Sequence, residues 1–170
     1  MNLQGYGERP PSGHDVGLSV KLFTPGTDVW SRTPTADYIY VPGGDNNTIA
    51  NIDANVNTHA MSFDIVGAIP GTYDITIASN HTLMNVKRAV PVELPETTVN
   101  FGTQLEGNTN NDRQVNALDF SLLATSYGKS TGDIGFDQSA DFNESGQVNA
   151  LDFSLLTASY FKYWEPVELG

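Results

Sequence analysis

Residues 114–127 read QVNALDFSLLATSY and residues 147–160 read QVNALDFSLLTASY, so twelve of fourteen positions agree at a spacing of 33. Chance does not produce that agreement, and a repeat of this kind means that one supersecondary unit is built twice. Whatever each copy between about residues 107 and 161 does chemically, it does in duplicate. Phe120, Leu123 and Tyr127 fall at helical spacing, and Phe153, Leu156 and Tyr160 repeat them, which predicts one amphipathic helix per copy.

Ahead of each helix, oxygen-bearing side chains stand at alternate positions. In the second copy Asp141, Asn143 and Ser145 occupy loop positions 1, 3 and 5, with Gly146 at 6, Gln147 at 7, Asn149 at 9 and Asp152 at 12. This is the register of an EF-hand-type calcium loop. Calcium takes about six to eight oxygens in a flexible shell, and a loop curling around the ion turns every second side chain inward. Position 7 offers its backbone carbonyl, so Gln147 need not be acidic, and Gly146 suits a turn at positive φ. Val148, at position 8, is expected to make the short β contact that couples the two loops.

The first copy places Asn108, Asn110, Asp112, Arg113, Gln114, Asn116 and Asp119 in the same register. Asn108 is neutral where an acid is usual. Arg113 takes the glycine position, where a positive φ would cost on the order of 1 kcal/mol. With two carboxylates at the ligand positions of each loop, the expected affinity is at the weak, extracellular-like end of the calcium range. Position 12 is Asp in both copies, and no helical pattern precedes either loop, so the unit reads as loop then helix. Asn and Asp also cap helices without any ion, but two copies in one register favour the ion-binding reading.

The first hundred residues follow another rhythm. Short, mostly alternating runs at 18–23, 37–41, 62–66, 73–78 and 98–101 are separated by Gly and Pro, which predicts an all-β sandwich. The Asn/Asp-rich stretch 43–59 reads as a long loop, and residues 105–107 as a short joint. The expected architecture is therefore multidomain β + α: a β-sandwich over 1–105, then a small helical module with two calcium loops over 106–170.

A net charge of −12 and the lack of any Lys/Arg stripe argue against nucleic acid. The chain has no cysteine, which removes disulfides and thiolate chemistry. No apolar run approaches the ~18 residues of a membrane helix, so no membrane insertion is expected. Residues 1–20 show no charged-then-apolar leader pattern, so a secretion signal is expected to have been removed or left out.

The residues of the two loop–helix copies resemble a dockerin, the small module that docks secreted bacterial and archaeal proteins onto cohesin domains. The resemblance implies two structural Ca2+ ions, one per loop, and a secreted or cell-surface setting. It also implies a cohesin-like partner held by the two helices, possible in two orientations related by the internal repeat. Carried over residue by residue, the partner face is Ala117, Leu118, Ser121, Leu122 and Thr125 with Ala150, Leu151, Ser154, Leu155 and Ala158. These are apolar or small where many dockerins place Ser-Thr and Lys-Arg pairs, which implies a more hydrophobic contact. The phrase Pro70-Gly71-Thr72-Tyr73-Asp74-Ile75 gives the preceding part a resemblance to immunoglobulin-like or prealbumin-like sandwiches, carboxypeptidase regulatory-like domains among them.

The stripe of Phe120, Leu123, Tyr127 and its second copy is expected to form the core shared by the helices. Leu118, Leu122, Leu151 and Leu155 make a surplus apolar stripe, a candidate interface, unless it packs on the sandwich. No nucleophile elbow or Ser/His/Asp set is present, so no catalytic role is expected. His14, His59 and His81 have no ligand spacing and read as surface or structural. Asp45, Asp53, Asn55 and Asn57 read as a solvated loop. Trp30, Tyr38 and Tyr40 are the one aromatic platform a carbohydrate could use. The tail residues Tyr163, Trp164 and Pro166 can fold back as a clasp near Leu105. A rival reading from another class is a self-assembling extracellular subunit, in which the module of one chain grips the sandwich of a neighbouring copy.

Overall fold

The computed structural model describes residues 2–8, 17–26, 28–30, 32–40, 49–55, 60–164 and 166–167; for 2–8, 40, 49–55, 60–61 and 166–167 it describes the backbone. Two sheets make up the N-terminal part. One has the order β4-β5-β1-β8, from β1 (Asn2–Glu8), β4 (Ile49–Asn55), β5 (Ala60–Val66) and β8 (Glu96–Thr103). The other has the order β3-β2-β6-β7-β9, from β2 (Leu18–Phe23), β3 (Ala36–Tyr40), β6 (Gly71–Ser79), β7 (Asn85–Val92) and β9 (Pro166–Val167).

Alternation drives their packing. Leu18, Val20 and Leu22 of β2 are buried while Ser19 and Lys21 are partly exposed. Phe63, Ile65, Val99 and Phe101 of the first sheet meet Leu18, Val20, Leu22, Ile75, Ile77 and Val92 of the second in one apolar core. The rings of Phe63 and Phe101, both on the first sheet, stack within it with centroids 6.1 Å apart. This is the sandwich expected from the sequence.

The runs read as strands fall on β2, β3, β5, β6 and β8, but the expected loop at 43–59 is corrected in part. Residues 49–55 form β4, with Asp53 and Asn55 in a strand, while Asp45 and Asn57 lie outside the described residues, as do His14 and His59. β4 is an edge strand, paired with β5 on one side only. Its place rests on backbone pairing, so an apolar alternation is not required of it.

Asp74 organises the other sheet. The β6–β7 register shifts between Tyr73 and Ile75, and Ala89 on the bulged strand takes a left-handed φ of 51°. The buried Asp74 carboxylate accepts the Ala89 amide at 2.8 Å, the Gly26 amide at 2.8 Å and Arg88 Nη1 at 2.7 Å. Burial pushes this carboxyl up, but the Ala89 and Gly26 amides and the Arg88 guanidinium outweigh it and hold Asp74 below the ordinary carboxylate range.

The helical part comprises α1 (Ala117–Ser126), a single 3-10 turn (Gln138–Ala140) and α2 (Ala150–Ser159). Its core joins Val115, Leu123, Ala140, Phe142, Val148 and Leu156 with Leu83, which comes from the β6–β7 turn of the sandwich. Leu105 packs on this core too, and its carbonyl accepts the Leu83 amide at 2.8 Å. The joint between the two parts is thus bonded to the sandwich as well as packed on the helices.

Removing the buried acceptor of Asp74 leaves several donors unpaired, so Asp74→Asn is expected to destabilise the protein by roughly 2–4 kcal/mol at pH 7. Its folded-state pKa lies below the unfolded one. The stabilisation is therefore complete above the unfolded value near 4 and disappears as pH falls through the folded value. Urea midpoints of both proteins at pH 7 and pH 3 check this: the gap narrows at the lower pH.

Candidate metal centre and docking face

Each loop closes on its position-12 carboxylate. Asp119 Oδ1 accepts the Asn110 amide at 3.2 Å and Oδ2 the Asn116 amide at 2.8 Å. Asp152 does the same with Asn143 at 3.2 Å and Asn149 at 2.8 Å. Asn116 and Asn149 in turn cap the helices, accepting the Leu118 and Leu151 amides at 2.7 and 2.8 Å. The result is a capping box at the start of each helix. One residue type thus ends the loop and begins the helix, which is why the repeated sequence builds the same local structure twice.

Most of the remaining positions bond within the loops, the two Gln through their backbone. In the second loop Asp141 Oδ1 accepts the Ser145 amide at 3.0 Å, Asp141 Oδ2 the Gly146 amide at 2.7 Å, and Asn143 Oδ1 the Ser145 amide at 3.2 Å. Ser145 Oγ and Asn149 Nδ2 both donate to the Gln147 carbonyl, at 3.1 and 3.3 Å. In the first loop Asn108 Oδ1 and Asn110 Oδ1 both accept the Asp112 amide at 3.0 Å. Asp112 Oδ1 accepts the Gln114 amide at 2.7 Å. All twelve expected ligand positions therefore lie along two compact loops.

These loops suit a hard divalent cation. Asp119 and Asp152 are fully buried, and Asp141 is nearly so. Burial pushes the Asp119 and Asp152 carboxyls up, the loop amides pull them down, and the neighbouring Asp112 or Asp141 carboxylate pushes them up again. Among the described residues no Lys, Arg or His forms an ion pair with any of these four. Nor do three His, Cys, Asp or Glu side chains group into a metal cluster among the described residues. An ion here would draw on amide, hydroxyl and backbone oxygens beside two carboxylates, a donor set that fits calcium.

Three expectations are corrected. Val148 does not pair with the other loop. Its amide donates to the Lys129 carbonyl at 3.0 Å and its carbonyl accepts the Gly128 amide at 2.8 Å, just past α1. Val115 does the same past α2, with Lys162 at 3.0 Å and Phe161 at 2.9 Å. Each loop is stitched to the exit of the other copy's helix, so the pairing obeys a pseudo-twofold. That symmetry explains Phe161, at φ 64° in the place that Gly128 fills at φ 78°.

Arg113 does not take a positive φ; among described non-glycine residues only Ala89, Asn111, Glu144 and Phe161 do. The two loops differ because Asp141 has a second oxygen for the Gly146 amide, whereas Asn108 has a nitrogen that donates to the Asp112 and Thr82 carbonyls at 2.9 and 3.3 Å. The guanidinium of Arg113 instead lies over the Trp30 ring at 5.1 Å, and its carbonyl accepts the Trp164 amide at 2.8 Å.

The aromatic stripe is the third correction. Leu123 and Leu156 are core, but Phe120 and Phe153 are 44% and 41% exposed and meet edge to face at 6.1 Å, and Tyr127 is exposed. Val115, Phe142 and Val148 from the loops occupy the space those rings were expected to fill. The second stripe does not pack on the sandwich. Ala117, Leu118, Ser121, Leu122 and Thr125 are exposed, as are Ala150, Leu151, Ser154 and Ala158, while Leu155 is half-buried. Leu118 and Leu151 are each 62% exposed at matched places on the two helices.

The tail folds back as expected, landing on the sandwich and on the first loop at Arg113. Trp164 from the tail sits with Phe23, Val29, Met84 and Val86 of the sandwich, and β9 pairs parallel to β7 at Val86 and Lys87. Trp164 lies 6.1 Å from Trp30. With Arg113 over its ring as well, Trp30 is engaged within the chain; Tyr38 is core. The third member of the expected carbohydrate platform, Tyr40, has its side chain outside the described residues. His81 is buried and structural: Nδ1 bonds Glu106, and Nε2 lies 3.6 Å from Glu144 Oε1. Burial alone would lower its pKa, but Glu106 and then Glu144 raise it to about 10.

Residues 107–159 match the family model of the dockerin type I domain, and this segment follows the β-sandwich. Two solved structures from Acetivibrio cellulolyticus share the fold at 16% identity, with 95% of this chain and 96% of theirs covered. They are a C-terminal and an N-terminal interface mutant of a type II cohesin–X-dockerin complex, with TM-scores of 0.64 and 0.62. No curated protein sequence matches the chain.

Two glycines separate strain from contact. A Cβ on Gly128 (φ 78°) would meet nothing within 4 Å, whereas one on Gly107 (φ 107°) would lie 2.9 Å from the Leu156 backbone. Gly128→Ala is expected to lower stability by about 1 kcal/mol through backbone strain alone. Gly107→Ala, which adds a clash with α2, should lower it by about 3 kcal/mol or more. Chemical unfolding followed by helix signal measures both.

Proposed function

We propose that this chain is a calcium-dependent docking module that binds a cohesin-like domain through the exposed faces of α1 and α2, in a secreted or cell-surface assembly. The observation that carries the reading is the duplicated, exposed stripe led by Leu118 and Leu151, each standing on a helix whose first turn is set by a loop with calcium-type donors. The dockerin type I match over 107–159 supports the partner class. The likeness in fold to chains of a cohesin–X-dockerin complex agrees with it.

The ligand positions we assign are Asn108, Asn110, Asp112, Gln114, Asn116 and Asp119 in the first loop. Asp141, Asn143, Ser145, Gln147, Asn149 and Asp152 serve the second. Calcium, when bound, supplies the positive charge that the paired carboxylates lack. The chain's own contribution is to hold those carboxylates at the helix starts, so that the loop and the docking stripe are built by the same residues. We place the boundary between sandwich and module at 105/106, although Trp164 and β9 of the tail pack back on the sandwich.

No side chain of α1 or α2 carries a charge apart from the buried Asp119 and Asp152. Partner contact is therefore apolar, and affinity should depend little on salt. The role we assign is docking, not catalysis. Among the described residues no helix is long and apolar enough to cross a membrane.

Calorimetric titration of the chelated protein is expected to show two calcium ions bound, and Asp119→Ala with Asp152→Ala to abolish uptake. Leu118→Asp with Leu151→Asp should remove cohesin binding while leaving calcium uptake intact. Unchanged cohesin affinity in that variant would reject this face, and calcium-dependent growth in light scattering without a partner would favour self-assembly.

A further inference from the structure

The β6–β7 turn of the sandwich reaches both candidate calcium loops, a contact the docking role does not require. His81 and Thr82 of this turn are buried. The His81 carbonyl accepts the amide of Asn108, position 1 of the first loop, at 3.0 Å. The Thr82 carbonyl accepts Asn108 Nδ2 at 3.3 Å, and the same nitrogen donates to the Asp112 carbonyl at 2.9 Å. Both protons of the Asn108 amide are committed, which turns its one oxygen onto the Asp112 amide at 3.0 Å, toward the loop interior.

That orientation matters because Asn108 is neutral and two-faced. A free carboxamide could present its nitrogen to a cation; one held by two carbonyls presents oxygen. Asp141, at the same place in the second loop, has two oxygens and no such need. The second loop meets the turn elsewhere. His81 Nε2 lies 3.6 Å from Oε1 of Glu144, the position-4 residue, whose backbone is left-handed at φ 52°. His81 Nδ1 bonds Glu106, two residues ahead of Asn108.

We propose that the β6–β7 turn is an outer shell shared by both calcium loops. It fixes the Asn108 carboxamide with its oxygen inward, so that a neutral residue serves at position 1. Through His81 it joins the first loop to the second, so that filling one favours filling the other. The inference rests on the calcium reading of the loops. Groups that orient metal ligands in this way contribute about 10- to 100-fold to metal affinity when removed singly.

Calcium titration by calorimetry on the whole chain tests it with two variants. His81→Gln is expected to weaken uptake about 10-fold and to convert coupled binding into two independent events. Asn108→Asp gives the sharper test, because charge counting alone predicts tighter binding from the added carboxylate. Here the Thr82 and Asp112 carbonyls oppose that carboxylate, so the expected result is binding no tighter than in the parent chain. Tighter binding by Asn108→Asp, or parental affinity and coupling in a folded His81→Gln, overturns the proposal while two-ion uptake by the parent chain preserves the loop assignment. If His81→Gln fails to fold, Asn108→Asp decides alone. No uptake by the parent chain removes both readings.

Discussion

The structure of the C-terminal part depends on two buried carboxylates. Asp119 and Asp152 are each 0% exposed, and each accepts one amide from the start of its loop and one from its helix N-cap. A buried carboxylate with several amide donors is held in one geometry. Among the described residues no side-chain cation pairs with either carboxylate. Loop closure and helix start are thus one constraint, set by the same two carboxylates.

The duplication explains the rest of the module. Near-identical loop–helix units that bury the same apolar face on both sides are related by a twofold, and the hydrogen bonds obey that relation. Val115 and Val148 each bond the backbone that leaves the other unit's helix. The exchange ties each loop to both helices, so neither half is a separate folding unit. Its consequence is a left-handed residue at both helix exits, easily met by Gly128 and less so by Phe161, whose ring meets Tyr160 edge to face at 4.5 Å.

The sandwich is more than a neighbour. Leu83 completes the helical core, Leu105 bonds back to it, and the tail returns Trp164 to a cluster under β2 and β7. Arg113 leaves the loop to cover Trp30. Apolar anchors run in both directions across the joint, which sets the loops against the β6–β7 turn and leaves the opposite helix faces open.

From the sequence alone, the repeat determined both loops, both helices and the stripe of Leu118 and Leu151, because the spacing of oxygen-bearing side chains, capping and helical period are properties of neighbouring residues. Strands with clean alternation, such as β2 and β6, were equally legible. β4 and β7 were not: an edge strand with Asn and Asp, and a bulged strand with Pro91, take their shape from the partner's backbone. Only the tertiary structure decided which Val pairs with which helix exit, why Arg113 escapes a positive φ, and where Trp164 goes. Each of these depends on a contact between residues far apart in the chain, and such contacts leave no period in the sequence.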